Sequence, residues 1–177
     1  MGNRILITGI ILIVVLFSFS CKDWFEDEDF SLTREEYSGD EIRIDGYYYN
    51  YYTQGSDLAS ITIFYRNGVV IDGIGGRSLL EFENSFSNGK FYQGVSKMKD
   101  VWGLYWVENN RIMIETIVAM GGFNRHAYTD YVEILNDTTI HFYKHKRSYK
   151  SVFENMNDTL HFKQFSPKPD STNVFIK

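Results

Sequence analysis

Three dipeptides, Asn67-Gly68, Asn109-Asn110 and Asn136-Asp137, each separate two runs rich in β-branched and aromatic residues, and they constrain the fold more than any other feature. Asn, Asp and Gly tolerate the positive φ that a two-residue loop needs, so each dipeptide joins neighbouring antiparallel strands. The runs so joined are 60–66 with 69–74, 101–108 with 111–120, and 128–135 with 138–146. A fourth hairpin is expected from 149–154 and 159–165 around Met156-Asn157-Asp158. A tyrosine-rich run over 42–53 comes before them all, with Gly46 marking a bend or bulge. The chain is 17% aromatic with 14 Phe and 13 Tyr, most of them in these runs, the composition of packed strands. Only Leu79, Leu80, Phe82, Glu83 and Phe86 are spaced like one helical face, ending near Asn88-Gly89. The expected fold is therefore all-β: an antiparallel up-and-down barrel of about 8 to 10 strands with one short helix. Closure removes exposed edges, and consecutive hairpins disfavour a Greek-key sandwich.

The N-terminus has a different character. Arg4 precedes an apolar run over 5–19, then Ser20 and Cys21, the only cysteine. A membrane span needs about 20 apolar residues, and this run is shorter and broken by Thr8 and Gly9, so residues 1–20 read as a signal peptide. Ser20-Cys21 resembles the lipobox of bacterial lipoproteins, which implies cleavage before Cys21 and its acylation. A lone cysteine in an exported chain has no disulfide partner, and lipidation accounts for it. Two or more acyl chains anchor stably where one does not. Residues 21–41 hold two basic and nine acidic residues and read as a solvated tether. Within it Lys22, Asp23, Glu26, Asp27, Glu28 and Asp29 resemble the surface-export signal of certain Gram-negative lipoproteins. That resemblance implies an outer-membrane protein of the cell envelope, exposed to the medium.

Removing the leader and the tether changes the charge picture. The whole chain carries −5, the tether −7, and residues 42–177 only +1. A neutral body attracts phosphate weakly, which argues against a nucleic-acid partner. The one basic cluster, Lys144, Lys146, Arg147 and Lys150 around His145, reads as a solvated hairpin end. About 135 residues beyond the tether suffice for one core and not for two, so 42–177 form a single domain.

Several stretches of that domain carry a family resemblance. Ile44-Asp45-Gly46-Tyr47-Tyr48, the Phe64-Tyr65-Arg66-Asn67-Gly68 hairpin, Trp102-Gly103-Leu104-Tyr105 with Asn110-Arg111-Ile112, and Lys168-Pro169-Asp170-Ser171-Thr172-Asn173 are similar to uncharacterised bacterial lipoproteins with a lipocalin-like barrel. The resemblance implies the barrel and no enzyme activity. The first strand is tyrosine-rich where lipocalins place Gly-x-Trp, so no lipocalin ligand is implied.

Alternation along the strands assigns faces. Ile140, Phe142, Leu160 and Phe162 are expected inside, with His141, Tyr143, His145 and His161 outside. Tyr48, Trp102, Leu104, Trp106, Ile112 and Ile114 are expected to line an interior that is either filled or holds one small hydrophobic ligand. His141 and His145 share a face but stand about 13 Å apart on a regular strand, too far to share an ion. No metal and no cofactor are expected. No Gly-x-Ser-x-Gly elbow, His-Glu-x-x-His or second cysteine is present, so no catalytic residue is assigned. The other reading is an envelope interaction or glycan-binding module built on the Tyr47, Tyr49, Tyr51 stripe. Asp137-Thr138-Thr139, Asp158-Thr159-Leu160 and Asp170-Ser171-Thr172 resemble an O-glycosylation motif of the same bacteria.

Overall fold

The computed structural model describes residues 28–119 and 125–176; the signal peptide expected over 1–20, Cys21, Lys22, Asp23, Glu26 and Asp27 lie outside the described residues. Eight strands follow in order: β1 (Gly46–Tyr51), β2 (Leu58–Phe64), β3 (Val69–Ser78), β4 (Trp102–Glu108), β5 (Arg111–Ala119), β6 (Arg125–Asn136), β7 (Thr139–Arg147) and β8 (Val152–Gln164). Each pairs antiparallel with the next, and β8 returns to β1, closing an up-and-down barrel. Helices α1 (Leu79–Ser87) and α2 (Lys90–Val95) are inserted between β3 and β4. The expected helix is α1, begun by a capping box in which Ser78 and Glu81 satisfy each other's free backbone donors. Helix α2 starts after Gly89, whose φ of 72° suits a residue without a Cβ.

Alternating strands give the barrel two ends. The Asn67-Gly68, Asn109-Asn110 and Asn136-Asp137 turns share one end, here the base, and the β1–β2 and β7–β8 connections share the other, the mouth. The fourth expected hairpin does not form. Residues 152–164 are one strand of 13 residues, because Asn155 and Asp158 stay in the ladder opposite Lys144 and Phe142. Met156 and Asn157 together face Tyr143, which is itself the extra residue of β7 against β6, so these bulges keep the ladder in register and cross-strand pairing overrides the local turn chemistry of Met156-Asn157-Asp158. Pairing of β8 with β1 spans only His161–Gln164 against Gly46–Tyr49, so the mouth half of β8 runs past the end of its neighbour. Gly46 makes this joint feasible, since a Cβ there would lie 2.1 Å from the Lys163 carbonyl oxygen.

The strands carry apolar residues on both faces, and two cores result. The inner one gathers Tyr48, Phe64, Val70, Tyr105, Ile112, Ile114, Val132, Ile134, Ile140, Phe142 and Leu160. The outer one packs Phe82, Phe86, Phe91 and Val95 of the helices on Tyr47, Ile61, Ile63, Ile71, Trp102 and Leu104. Trp102 is fully buried, and its indole N–H donates to the Val95 carbonyl at 2.8 Å, fixing α2 to β4. Tyr47 donates to Glu83 at 2.7 Å and Lys163 reaches the same carboxylate at 2.6 Å, fixing α1 to β1 and β8.

The solvated tether expected over 21–41 is corrected from Glu28 onward, because that segment is a strap bound to the barrel. The Glu28 carboxylate accepts from the Ala127 amide at 2.6 Å and from the Ser148 hydroxyl, and lies 3.2 Å from His126. Burial pushes the Glu28 carboxyl up, and those hydrogen bonds outweigh it, so its pKa falls below the ordinary carboxylate value. Glu115, buried on the outer face of β5, accepts from the Ser31 amide and hydroxyl (both 2.7 Å) and the Leu32 amide (2.9 Å). The strap then reaches the base, where Tyr37 and Ile42 enter the inner core and plug it. Tyr37 packs 6.0 Å from the Tyr105 ring and receives the Ile42 amide on its hydroxyl. The C-terminal tail crosses the same end, where the largely buried Lys168 donates to the Ile44 and Phe64 carbonyls. Burial lowers its pKa to about 8.

Glu115→Ala would strand two strap amides beside a new void. The expected cost is about 2 kcal/mol, read as a lower urea midpoint, with faster tryptic cleavage at the exposed Arg34.

Candidate ligand-binding site

Because β1 ends at Tyr51 while β8 continues to Val152, the mouth is not filled as the base is. A cavity of about 290 Å³ lies there. Phe142, Met156 and Leu160 give it an apolar side, Tyr51 and Tyr52 stand at its entrance, and Asn50, Ser60, Thr62, Asp72, Asp130 and Asp158 supply polar groups.

Each polar group is placed by the same register that places the inner core. Thr62 stands opposite Tyr48, and Asp130 stands opposite Ile114 and His145. Asp72 is the residue after Ile71 on β3, just before Gly73, whose φ of 71° makes a bulge against β2. The Thr62 hydroxyl donates to Asp72 at 2.5 Å, and the His145 Nδ1 lies 2.5 Å from Asp130. His145 also packs 4.9 Å from the Tyr128 ring. Burial first, then the neighbouring Asp130 charge, pushes the Asp72 carboxyl up to about 6, against the pull of the Thr62 bond. The wall thus offers a carboxyl that donates a hydrogen bond in mild acid and accepts one above it.

None of the six residues expected to line a pocket touches this cavity. Tyr48, Ile112 and Ile114 do face inward, but deeper: they fill the plugged half, and the Tyr48 hydroxyl is used on the Asp137 carbonyl at 2.8 Å. Trp102 and Leu104 face outward into the core beneath the helices. Trp106 also faces outward, 37% exposed, on a groove of about 220 Å³ with Met113, Tyr131 and Tyr143. The physical reason is the register of the second hairpin. A two-residue loop sets Glu108 opposite Arg111, so Leu104 meets Glu115 and Tyr105 meets Ile114. Residues directly opposite share a face, so the even-numbered side of β4 cannot share the interior with the even-numbered side of β5. That parity was available in the loop length.

The faces of Ile140, Phe142 and Leu160 are as expected, with Phe162 partly buried against the same cluster. His141 stands beside Thr159 on the outer face. His145 is the exception: the bulge at Tyr143 inverts the alternation beyond it and turns the imidazole inward to Asp130. Asp72, Thr62, Asp130 and Asp158 were missed because attention to apolar alternation passes over the polar members of inward rows. A Thr between Ile61 and Ile63, or an Asp after Ile71, is the signal that a strand's inner row turns polar. Among the described residues no group of three or more His, Cys, Asp or Glu side chains is placed to hold a metal ion. Compared with known proteins, the chain matches no family model, no curated protein and no solved structure.

The raised Asp72 pKa has a definite sign for stability. The folded state keeps a proton that the unfolded chain, with an aspartate near 3.9, has lost. The resulting stabilisation is complete below about pH 4 and disappears as pH rises through about 6. Comparing urea midpoints at about pH 4.5 and about pH 7, Asp72→Asn should show a smaller drop than the unsubstituted protein.

Proposed function

We propose that this protein is a lipid-anchored lipoprotein of the cell envelope, held at Cys21 in the outer membrane and facing the medium, whose barrel binds a small ligand without catalysing a reaction. The observation that carries the binding reading is the unequal filling of the barrel. Its base is packed with rings and branched chains and plugged by Tyr37, while its mouth keeps about 290 Å³ open between an apolar and a polar side. Such a site suits a molecule with an apolar body and a hydrogen-bonding head, the body against Phe142, Met156 and Leu160 and the head toward Thr62, Asp72 and Asp130. Lipocalin-like lipoproteins remain the family that the sequence resembles, and the closed eight-stranded barrel is consistent with that resemblance.

A second reading has its own support. The outer groove beside Trp106 combines aromatic rings with Glu108, Asn109 and Arg111, the mixture that stacks on sugar rings and bonds their hydroxyls. On that reading the barrel is an interaction or glycan-binding module of the envelope.

Displacement of an environment-sensitive dye by a lipid and metabolite library tests the first reading. Ser60→Trp, which fills the cavity from its wall, should weaken dye binding at least about tenfold, while Trp106→Ala should leave it unchanged. The reverse pattern, with glycan binding lost in Trp106→Ala, would favour the second. Cys21→Ser should move the protein out of the membrane fraction, and retention there would remove the anchor.

A further inference from the structure

The strap fixes where an anchor at Cys21 can be. Glu28 is bound at the mouth end, to Arg125 and Ala127 at the start of β6 and to Ser148 in the β7–β8 turn. Six residues lie between it and Cys21, and the seven residue steps span at most about 25 Å. The twelve residues of β6 run about 40 Å along the strand, which at the usual tilt gives the barrel a height of about 30 Å. A lipid at Cys21 therefore reaches the mouth end and not the base.

The same end gathers six of the ten exposed large apolar side chains of the described residues. Tyr52 (56% exposed), Tyr51 and Leu58 come from the β1–β2 connection, Phe153 (50%) and Val152 from the start of β8, and Met98 from the segment entering β4. Leu135 at the base, Trp106 on the wall, Leu80 on α1 and Val174 in the C-terminal tail are separate from this group. Around Phe153 the Lys144 and Lys146 ammonium groups lie 3.8 and 5.9 Å from the ring centre, and Lys150 lies 5.3 Å from that of Tyr149. Rings flanked by lysines whose stems cover them are the composition of surfaces that settle at the headgroup–acyl boundary.

We propose that the mouth rim is a membrane-docking surface: anchored at Cys21, the barrel stands mouth-down, with Tyr52, Leu58 and Phe153 in the interfacial layer of the bilayer. This rests on the lipid-anchor reading. Asp23, Glu26 and Asp27 lie between the anchor and the strap, so apolar burial rather than attraction to anionic lipid drives the contact, and it persists in high salt. The cavity then opens toward the bilayer, and its ligand enters from the membrane side.

The test uses the full acylated chain in phosphatidylcholine vesicles. Acylation consumes the Cys21 thiol, so a cysteine introduced as Leu58→Cys, Phe153→Cys, Trp106→Cys or Leu135→Cys is the only site for a fluorophore. Brominated lipids should quench the labels at 58 and 153 at least about twofold more than those at 106 and 135, with or without salt. Equal quenching at all four, strongest quenching at 106 (a side-on barrel) or at 135 (base-down), or no quenching in an acylated protein overturns docking and leaves the anchor intact. A mass lacking acyl chains overturns the anchor and the docking together.

Discussion

Eight strands that close on themselves fix the radius of this molecule, and at that radius the interior is just wide enough for side chains to fill. Closure, however, is uneven. The β1–β8 joint has only four paired positions, from Gly46 opposite Gln164 to Tyr49 opposite His161. Below it the two cores are continuous and the inner one is dense with rings, such as Phe64 and Tyr105 at 4.9 Å. Beyond it β8 has no β1 to pair with, the inner row turns polar, and space is left over. The length of β1 relative to β8 therefore divides the barrel into a packed half and a receptive half.

The two chain termini serve the packed half. Strap and tail both cross the base, the strap contributing Tyr37 and Ile42 and the tail contributing Lys168. Tyr37 is pinned by its neighbours strongly enough that burial, followed by the Glu41 carboxylate, raises its phenol pKa to about 12. The tail continues under the helices, where Ile176 joins the outer core. Helices, strap and tail together cover much of the apolar outer face that eight alternating strands would otherwise leave to solvent. The face they leave bare, from Trp106 across Met113 to Tyr131, is where the second binding reading resides.

How much of this was legible beforehand differs by scale. The hairpins at Asn67-Gly68, Asn109-Asn110 and Asn136-Asp137, the helix over 79–87 and the closed barrel were readable because each rests on local chemistry: turn residues, a capping box, or alternation. What failed depended on pairing between strands. Asn157-Asp158 has the composition of a turn, yet the ladder with β7 holds it extended. One bulge at Tyr143 reversed the faces of everything after it on β7, and with them the place of His145. The strap hid behind its acidity, since nothing local in Ser31-Leu32 announces Glu115 as its partner 83 residues away. The cavity was missed for a related reason, because empty volume is a property of what neighbouring strands fail to fill.

The mouth half of β8 carries one more consequence. A strand edge without a neighbour is a template on which another chain can add itself. Here the edge reads Phe153-Glu154-Asn155-Met156-Asn157-Asp158. Two carboxylates and two asparagines in six residues disfavour extension by a like strand, through mutual repulsion and poor β-propensity. The polarity that makes this stretch look like a turn thus acts as a guard against strand addition where β8 runs past the end of β1.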